Sequence, residues 1–289
     1  MPVSGEVLYE RTIVNGPPET LRRSPLGRAT KHSDRYDASL LFALPRALQR
    51  EALGLDRDLP FTGIDIWTAY ELTWLDPRGK PAIAIASFEV PCVSPAMVES
   101  KSVKRYIGSF AQSQFDSAEH VRSTLARDIG AACGASVSVY LSDPVSGAPA
   151  IASLAGVSLD RQSLSVDCYE VDARLLASSA PSVAETLTTE LFRSQCPVTG
   201  QPDYASVQLS YDGPRVDRAA LLRYLVSYRR HAGFHEYCVE RIFVDVMVRC
   251  ACTGLSVYAR FTRRGGIDIN PFRTNAGIPR PENTRTPRQ

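Results

Sequence analysis

The sequence predicts an α+β protein in which antiparallel strands carry two helices on one face, and in which this arrangement occurs twice. Alternating apolar residues at strand period flank turn sequences, and apolar stripes at helical period accompany each strand pair. The order of two strands, two helices and a closing strand is found in both halves of the 289 residues. An internal duplication of this kind predicts two modules joined side by side.

Residues 61–145 are predicted to form the N-terminal module, after an irregular arm over residues 1–60 that is rich in turn formers and charges. The module contains a long hairpin around the turn sequence DPRGK, two amphipathic helices and the closing strand SVSVYLSD. Asp116 and Glu119 are expected to cap the second helix. The apolar stripes of the two helices are Val103, Tyr106, Ile107 and Phe110, then Val121, Leu125 and Ile129.

Residues 146–289 are predicted to form the C-terminal module. Its strands are ETLTTELFRS, DYASVQLSYDG and LSVYARFTR, and its helices are DRAALLRYLVSYRRHAG and HEYCVERIFVDVMVRC. The sequence RRGGIDINPFRTN that follows is interpreted as a basic turn or as a backbone cradle for phosphate. Because antiparallel sheets expose edges, the modules are expected to join into a larger sheet or barrel by oligomerisation.

The composition excludes several classes of protein. With 33 basic and 31 acidic residues the net charge is +2. So small a net charge does not indicate a protein that coats nucleic acid or binds a membrane surface. The N-terminal residues lack the apolar core of a signal peptide, and no run approaches the roughly 18 apolar residues of a spanning helix. Seven scattered cysteines suit a reducing compartment, mostly as small buried hydrophobic residues. We therefore expect a soluble, cytoplasmic protein.

The loop between the first two strands of the C-terminal module contains a cysteine and an aspartate, in the sequence CPVTGQPD from Cys196 to Asp203. Gly200 and Pro202 break regular structure, so the loop holds both side chains beside the following strand. The pair is a candidate nucleophile with an acid–base partner. The alternatives are a buried structural cysteine and an aspartate that caps the turn through its own side chain.

Two further groups of polar residues lie at predicted helix starts. His235 and Glu236 open the last helix, where they either complement the helix dipole or hold a heterocycle through its donors and acceptors. Glu99, Ser100 and Lys101 begin the first helix, where they form either a solvated face or the contacts to different parts of one large ligand. The residues alone leave these alternatives open.

Metal and nucleotide motifs are weak or absent. His235, Cys238, Cys250 and Cys252 are close in sequence, but Cys238 and Cys250 fall on an apolar helical stripe and no Cys-x-x-Cys pair occurs. Neither a G-x-G-x-x-G fingerprint after a strand nor a P-loop sequence is present. We predict no metal site, and these motifs name no cofactor.

Four stretches resemble the long, two-module form of the NADPH-dependent 7-cyano-7-deazaguanine reductases, the nitrile reductases of queuosine biosynthesis. They are ESKSVKRYIGSF, CPVTGQPDYASVQL, FHEYCVERIF and YARFTRRGGIDINPFR. The resemblance extends over nearly the whole chain and is weakest between about residues 140 and 190. It implies two tandem tunnelling-fold modules, whose antiparallel sheets close into a barrel or tunnel on oligomerisation, and it implies a homodimer.

The resemblance also implies a role for each candidate residue. Cys196 would attack the nitrile carbon to form a covalent thioimide, and Asp203 would donate a proton to the substrate nitrogen. NADPH would reduce this adduct through an imine to 7-aminomethyl-7-deazaguanine. The implied substrate-binding residues are Val98, Glu99, Ser100, His235 and Glu236, and the implied NADPH-binding residues are Ser100, Lys101, Arg264 and Gly265.

Two other functions remain open from the sequence. One is a zinc-dependent, cyclohydrolase-like enzyme on the same fold, and the other is a non-catalytic purine- or pterin-binding module. The expected partner is the small molecule 7-cyano-7-deazaguanine, without membrane binding. The balanced charge gives no support for direct binding of nucleic acid.

Overall fold

The structure is a computed structural model that describes residues 33–55, 58–147 and 150–289. The N-terminal sequence that bears on a signal peptide lies outside the described residues, as does more than half of the predicted arm over residues 1–60. None of the helices in the described ranges has the length and apolar character needed to span a bilayer.

The described residues form ten β-strands, five α-helices and four short 3₁₀ turns. The strands are β1 (Ala43–Pro45), β2 (Thr62–Leu75), β3 (Pro81–Pro91), β4 (Ala96–Val98), β5 (Ser138–Ser142), β6 (Val157–Ser158), β7 (Ser178–Gln195), β8 (Pro202–Val216), β9 (Gly254–Phe261) and β10 (Ile267–Thr274). The α-helices are α1 (Ala47–Arg50), α2 (Ser100–Ser109), α3 (Ala118–Cys133), α4 (Arg218–Ser227) and α5 (His235–Cys250). Short 3₁₀ turns cover Ala38–Leu40, Glu51–Leu53, Ala173–Leu175 and Tyr228–Arg230.

One eight-stranded sheet organises the molecule, with the strand order β5-β3-β2-β10-β9-β8-β7-β6. Its pairs are antiparallel, except that β6 runs parallel to β7 over two residues. Helices α2 and α3 bury their apolar stripes on β2 and β3, and α4 and α5 bury theirs on the strands of the second half. The prediction of an α+β fold with antiparallel strands and helices is therefore confirmed.

The start of α3 differs from the sequence prediction. Ser117 is the N-cap residue, and its side chain accepts a hydrogen bond from the His120 amide. Asp116 and Glu119 do not cap the helix; they pair with His120 and Arg122 on its exposed side. Serine is itself a strong N-cap residue, whereas acidic residues near a helix start are favoured by the helix dipole even when they do not cap the helix. Capping by Ser117 and capping by Asp116 or Glu119 therefore look alike in the sequence.

The strand β10 was missed from the sequence. The region was interpreted as a basic turn, but only Arg263–Gly266 turn, and the chain then forms a strand paired with β2 along its whole length. The strand period is present, since Ile267 and Ile269 alternate with polar residues, but Pro271 argues against a central strand. This pairing of β10 with β2, here called the junction, joins the two halves into one sheet.

Buried ion pairs reinforce the junction. Arg273 on β10 contacts Asp65 on β2 at 2.8 Å and Glu240 on α5 at 2.8 Å, and its side chain is fully buried. Arg46 and Arg50 bring the described part of the arm into the same cluster, pairing with Asp65 at 2.5 Å and Glu240 at 2.6 Å. Although burial alone would raise the pKa of Asp65, the two guanidinium groups of Arg273 and Arg46 hold it below its usual value.

The cysteines agree with the expectation of small buried residues. None of the seven forms a disulfide, and six of them are buried, Cys168 being the partly exposed one. Burial raises the pKa of the Cys133, Cys238 and Cys250 thiols to about 12, so these three are protonated at neutral pH.

We predict that Arg273→Met destabilises the protein by about 3–5 kcal/mol, because Asp65 and Glu240 would be left buried without this partner. Equilibrium unfolding in urea measures the change. Arg122→Met, which removes an exposed pair with Glu119, is the matched control and should leave stability unchanged within error. Similar unfolding midpoints for the two variants would contradict the role given to the cluster.

Candidate active site

A cleft of about 250 Å³ opens where the two halves of the sheet meet. The start of α2 contributes from the first half, and the β7–β8 loop, the start of α5 and the β9–β10 turn contribute from the second. The lining residues are Ser100, Lys101, Lys104, Cys196, Pro197, Thr199, Gln201, Asp203, Gly233, Phe234, His235 and Arg264. A smaller recess continues from the same residues towards Ile267 and Ile269 on β10.

Cys196 is held at the cleft by a short loop that closes on itself. Its amide donates to the Gln201 carbonyl at 2.8 Å, and its carbonyl accepts from the Gly200 amide at 3.0 Å. Gly200 has a φ of +66°, a conformation that favours glycine and that turns the chain back toward β8. The Gln195 amide also donates to the His231 carbonyl, at 2.8 Å, so the end of β7 is fixed to the segment before α5.

Asp203 is almost fully buried and is paired across the cleft. Its Oδ1 lies 2.5 Å from Nη1 of Arg264, and Nη2 of the same guanidinium donates to Gln201 Oε1. The side chain therefore interacts with the β9–β10 turn, which favours a role in the cleft over the turn-capping alternative. A buried carboxyl at the edge of a cleft, beside a thiol, can transfer a proton to a reacting atom.

His235 contacts both Asp203 and the sheet. Its Nε2 is 3.9 Å from Asp203 Oδ1, and its ring packs edge-to-face on Phe261 with 4.1 Å between centroids. Burial lowers the pKa of His235 to about 4, an effect that the negative Asp203 only partly opposes. The imidazole is therefore neutral at physiological pH, with one nitrogen to donate and one to accept.

Two buried carboxyl groups lie at the helix starts beside the cleft. Glu99 is the N-cap of α2 and accepts from the amides of Lys101 at 2.6 Å and Ser102 at 2.8 Å, while burial raises its pKa. Glu236, the second residue of α5, has its pKa raised to about 7, by burial first and then by the negative charge of Asp65. Neither glutamate lies on a solvated face, so the alternative of a solvated helix face does not hold for Glu99.

Basic side chains gather on the α2 side of the cleft and on the β9–β10 turn. Lys101, Lys104 and Arg264 all line it, and the pKa of Lys104 is lowered by burial and then by the positive charge of Arg264. Gly265, at φ +58°, allows the β9–β10 turn to lie close to Lys104, since a Cβ on this residue would be only 3.2 Å from the Lys104 side chain. Cations held close together at a cleft favour a polyanionic ligand, so this donor set fits the phosphates of a dinucleotide.

The structure brings most of the predicted site residues to one place. Cys196, Asp203, Ser100, Lys101, His235 and Arg264 line the cleft together. Glu99, Glu236 and Gly265 each lie next to a lining residue in sequence but do not themselves line the cleft. Val98 lies two residues before Ser100, belongs to the apolar core of the first half and pairs with Ala43.

Sequence reasoning missed three polar residues of the cleft, Lys104, Thr199 and Gln201. Lys104 is not among the predicted site residues, although its spacing of three from Lys101 places both on one helix face. Gln201 accepts from Arg264, and nothing in its local sequence indicates that contact. Such contacts arise between segments 63 residues apart, which local patterns do not report.

The zinc alternative receives no support from the described residues. Within residues 33–55, 58–147 and 150–289, no three histidine, cysteine or acidic side chains are grouped so that they could hold a metal ion. Cys238 and Cys250 belong to the apolar core of the second half, and Cys252 is buried in the same core.

Two family models match the chain. One, described as "Nitrile reductase, 7-cyano-7-deazaguanine-reductase N-term", matches residues 32–141, and a second, described as "QueF-like protein", matches residues 202–279. Among solved structures, the crystal structure of the archaeosine synthase QueF-Like in the apo form covers 35% of this chain at 17% identity, with a TM-score of 0.30. No conclusion rests on that last similarity.

Curated relatives match over most of the chain. A protein of Burkholderia ambifaria is 59% identical over 270 residues, which cover 92% of this chain and 98% of the relative. Proteins of Burkholderia multivorans and Burkholderia cenocepacia are 58% and 59% identical with the same coverage. Each of the three is named NADPH-dependent 7-cyano-7-deazaguanine reductase. The chain therefore belongs to the family of NADPH-dependent 7-cyano-7-deazaguanine reductases.

Proposed function

We propose that this protein reduces the nitrile of 7-cyano-7-deazaguanine to the primary amine of 7-aminomethyl-7-deazaguanine, in queuosine biosynthesis, with NADPH as the reductant. The observation that carries the proposal is that Cys196 and Asp203 face one cleft together with a cluster of cations. A nucleophile, a proton-transfer group and a phosphate-binding surface are the three parts that this reaction requires. The names of the relatives supply the substrate and the cofactor.

Cys196 is the proposed nucleophile. The S–H bond of Cys196 breaks and its proton passes to the Asp203 carboxylate, the sulfur bonds to the nitrile carbon as one π bond of the nitrile breaks, and the nitrogen takes up a proton, which yields a covalent thioimide. Asp203, across the same cleft, is the proposed proton donor to that nitrogen. Covalent capture retains the reactive imine stage inside the cleft, where Asp203 and His235 are both largely shielded from water.

NADPH, when bound, supplies the hydrides that reduce the adduct. Arg264, Lys101 and Lys104 would pair with its phosphates, and Ser100 and Gly265 would contact it at the start of α2 and in the β9–β10 turn. Binding an anion here also relieves the repulsion between Lys104 and Arg264. Held in this way, the cofactor would share the cleft with Cys196.

Recognition of the heterocycle is assigned to the helix starts. A guanine-like edge presents N–H donors, and the buried carboxylates of Glu99 and Glu236 are acceptors for such donors. The neutral imidazole of His235 can both donate and accept, and Val98 and Ser100 flank the Glu99 contact. A carboxylate held away from water binds these donors more strongly than an exposed one does.

The assembly is also part of the proposal. Residues 61–145 and 146–289 form two tunnelling-fold modules in a cytoplasmic homodimer, and closure of the sheets into a barrel or tunnel occurs on dimerisation. The outer strands support this proposal: β5 is paired only with β3, and β6 is a two-residue strand on the far edge. A sheet edge of this kind needs a partner or a cover.

Cys196→Ala is expected to abolish both NADPH oxidation and covalent labelling, because no other group lining the cleft supplies a thiolate. Mass analysis of protein mixed with the nitrile alone should show one added substrate mass in the wild type and none in the variant. Cys168→Ala, at a partly exposed cysteine outside the cleft, is the control and should retain both properties. Substantial turnover by Cys196→Ala would rule out the proposed mechanism.

Asp203→Asn should slow adduct formation by about 10²–10⁴-fold, the usual contribution of a positioned proton-transfer group. The amide keeps the size of the side chain and an acceptor for Arg264, so binding of NADPH should change far less than the rate. Stopped-flow measurement of adduct formation and fluorescence titration with NADPH separate the two effects. An unchanged rate would assign the proton transfer to another group.

Binding of the nitrile should weaken as the pH falls below about 7, because Glu236 loses its charge there and can no longer accept from the substrate N–H groups. The raised pKa means that the carboxylate form, and with it the tight complex, prevails above this value. Calorimetry with Cys196→Ala protein measures the affinity without covalent capture. Glu236→Gln should bind more weakly with little pH dependence; a pH dependence equal to that of the parent would contradict the assignment.

A further inference from the structure

The strands β9 and β10, which border the cleft, are paired with each other only at the end far from it. Their register covers Phe272–Thr274 against Ser256–Tyr258, and no further pair between the two strands is present in the part of the chain that the structure describes. Pro271 lies where the pairing stops, and proline has no N–H to donate to a ladder. Toward the cleft, β9 is held by β8 and β10 by β2, so the sheet is split between them.

The side chain of Gln289 fills this split. Its Nε2 donates to the carbonyl of Phe261 on β9 at 2.9 Å and to Oδ1 of Asn270 on β10 at 2.8 Å. Its Oε1 accepts from Nε of Arg260 at 2.8 Å and from the Thr286 amide at 3.0 Å. One primary amide thus supplies the hydrogen bonds across the strands that the interrupted ladder lacks.

These hydrogen bonds matter for stability because the groups that form them are buried. Gln289 is 4% exposed, Arg260 is 1% exposed and Asn270 is fully buried, so loss of the amide would leave buried polar groups without partners. The segment that carries Gln289 is itself fixed to the sheet. Asn283 donates to Thr68 and accepts from Arg260. The Ala152 amide donates to the Arg285 carbonyl, and the Arg285 amide donates to the Ala150 carbonyl.

The split lies directly behind groups of the cleft. Phe261, whose carbonyl accepts from Gln289, carries the ring on which His235 packs. The chain then turns through Thr262–Gly266, which brings Arg264 to Asp203, and returns as β10. The position of this turn therefore depends on how firmly the two strands are held at the split.

We propose that Gln289 is a positioning residue for the cleft: by bridging β9 and β10 across the split, it fixes the turn that carries Arg264. Gln289 itself does not line the cleft. The part of this inference that concerns NADPH rests on the proposed function, whereas the part that concerns the turn does not.

The test compares Gln289→Ala with the wild type in two measurements. Hydrogen–deuterium exchange of the peptide covering residues 262–269 should become faster in the variant by about fivefold, as expected for loss of a buried hydrogen bond. The KM for NADPH should rise by a similar factor, and by more than kcat falls, because Arg264, a proposed phosphate-binding group, would be displaced whereas Cys196 is held by the hydrogen bonds of its own loop. Arg280→Ala, which removes the contact of the same segment with Glu89 away from the split, is the control and should change neither.

A second variant keeps the test decisive if Gln289→Ala does not fold. Gln289→Glu preserves the size and the acceptor for Arg260 but removes both donations across the split, so it should reproduce the faster exchange and the higher KM.

Unchanged exchange in both Gln289 variants would overturn the proposal. A fall in melting temperature with exchange of residues 262–269 raised no more than in the rest of the sheet would also overturn it, since the role would then be structural only. If the wild type does not oxidise NADPH, the proposed function fails, while the exchange measurement still decides the role of Gln289.

Discussion

The antiparallel pairing of β10 with β2 is the interaction on which the rest of the structure depends. It makes one sheet out of two halves that each have their own helices and core, and it places a strand of the second half against the first strand of the first. Arg273 stabilises that pairing from inside, through Asp65 on one side and Glu240 on the other. Because a buried charge without its partner costs several kcal/mol, the cluster holds the two halves in one register. The cleft lies at the end of this junction.

The chemistry of the cleft follows from that geometry. The first half contributes cations and a capped helix start, and the second half contributes the thiol, the carboxyl and the imidazole. Neither half alone contains both the cations of α2 and the Cys196–Asp203 loop. Burial is the main cause of the raised pKa of Glu236, and two members of the ion-pair cluster also act on it, since Asp65 raises this pKa and Arg46 lowers it. Structure and reactivity are thus connected through one set of buried charges.

Local patterns predicted the elements that are stabilised locally. The helix HEYCVERIFVDVMVRC corresponds to α5 from His235 to Cys250, because its apolar stripe and its start are both encoded within 16 residues. The strand β10 was missed because Pro271 opposes it locally and only the distant pairing with β2 compensates. For the site, the motifs indicated Cys196, Asp203 and His235, which meet in the cleft. Lys104 could not be assigned, since its approach to the β9–β10 turn depends on how the halves are joined, and Gln201 could not, since its contact with Arg264 joins segments 63 residues apart within the second half. The individual roles of the site residues stay predictions.

The reaction proposed for the cleft at the junction is a four-electron reduction of a nitrile. The most direct measurement mixes purified protein with NADPH and 7-cyano-7-deazaguanine, follows the loss of NADPH absorbance, and quantifies the product by mass. The account predicts two NADPH consumed for each molecule of the aminomethyl product, because each cofactor supplies one hydride. No NADPH consumption, or consumption without the amine, would contradict it.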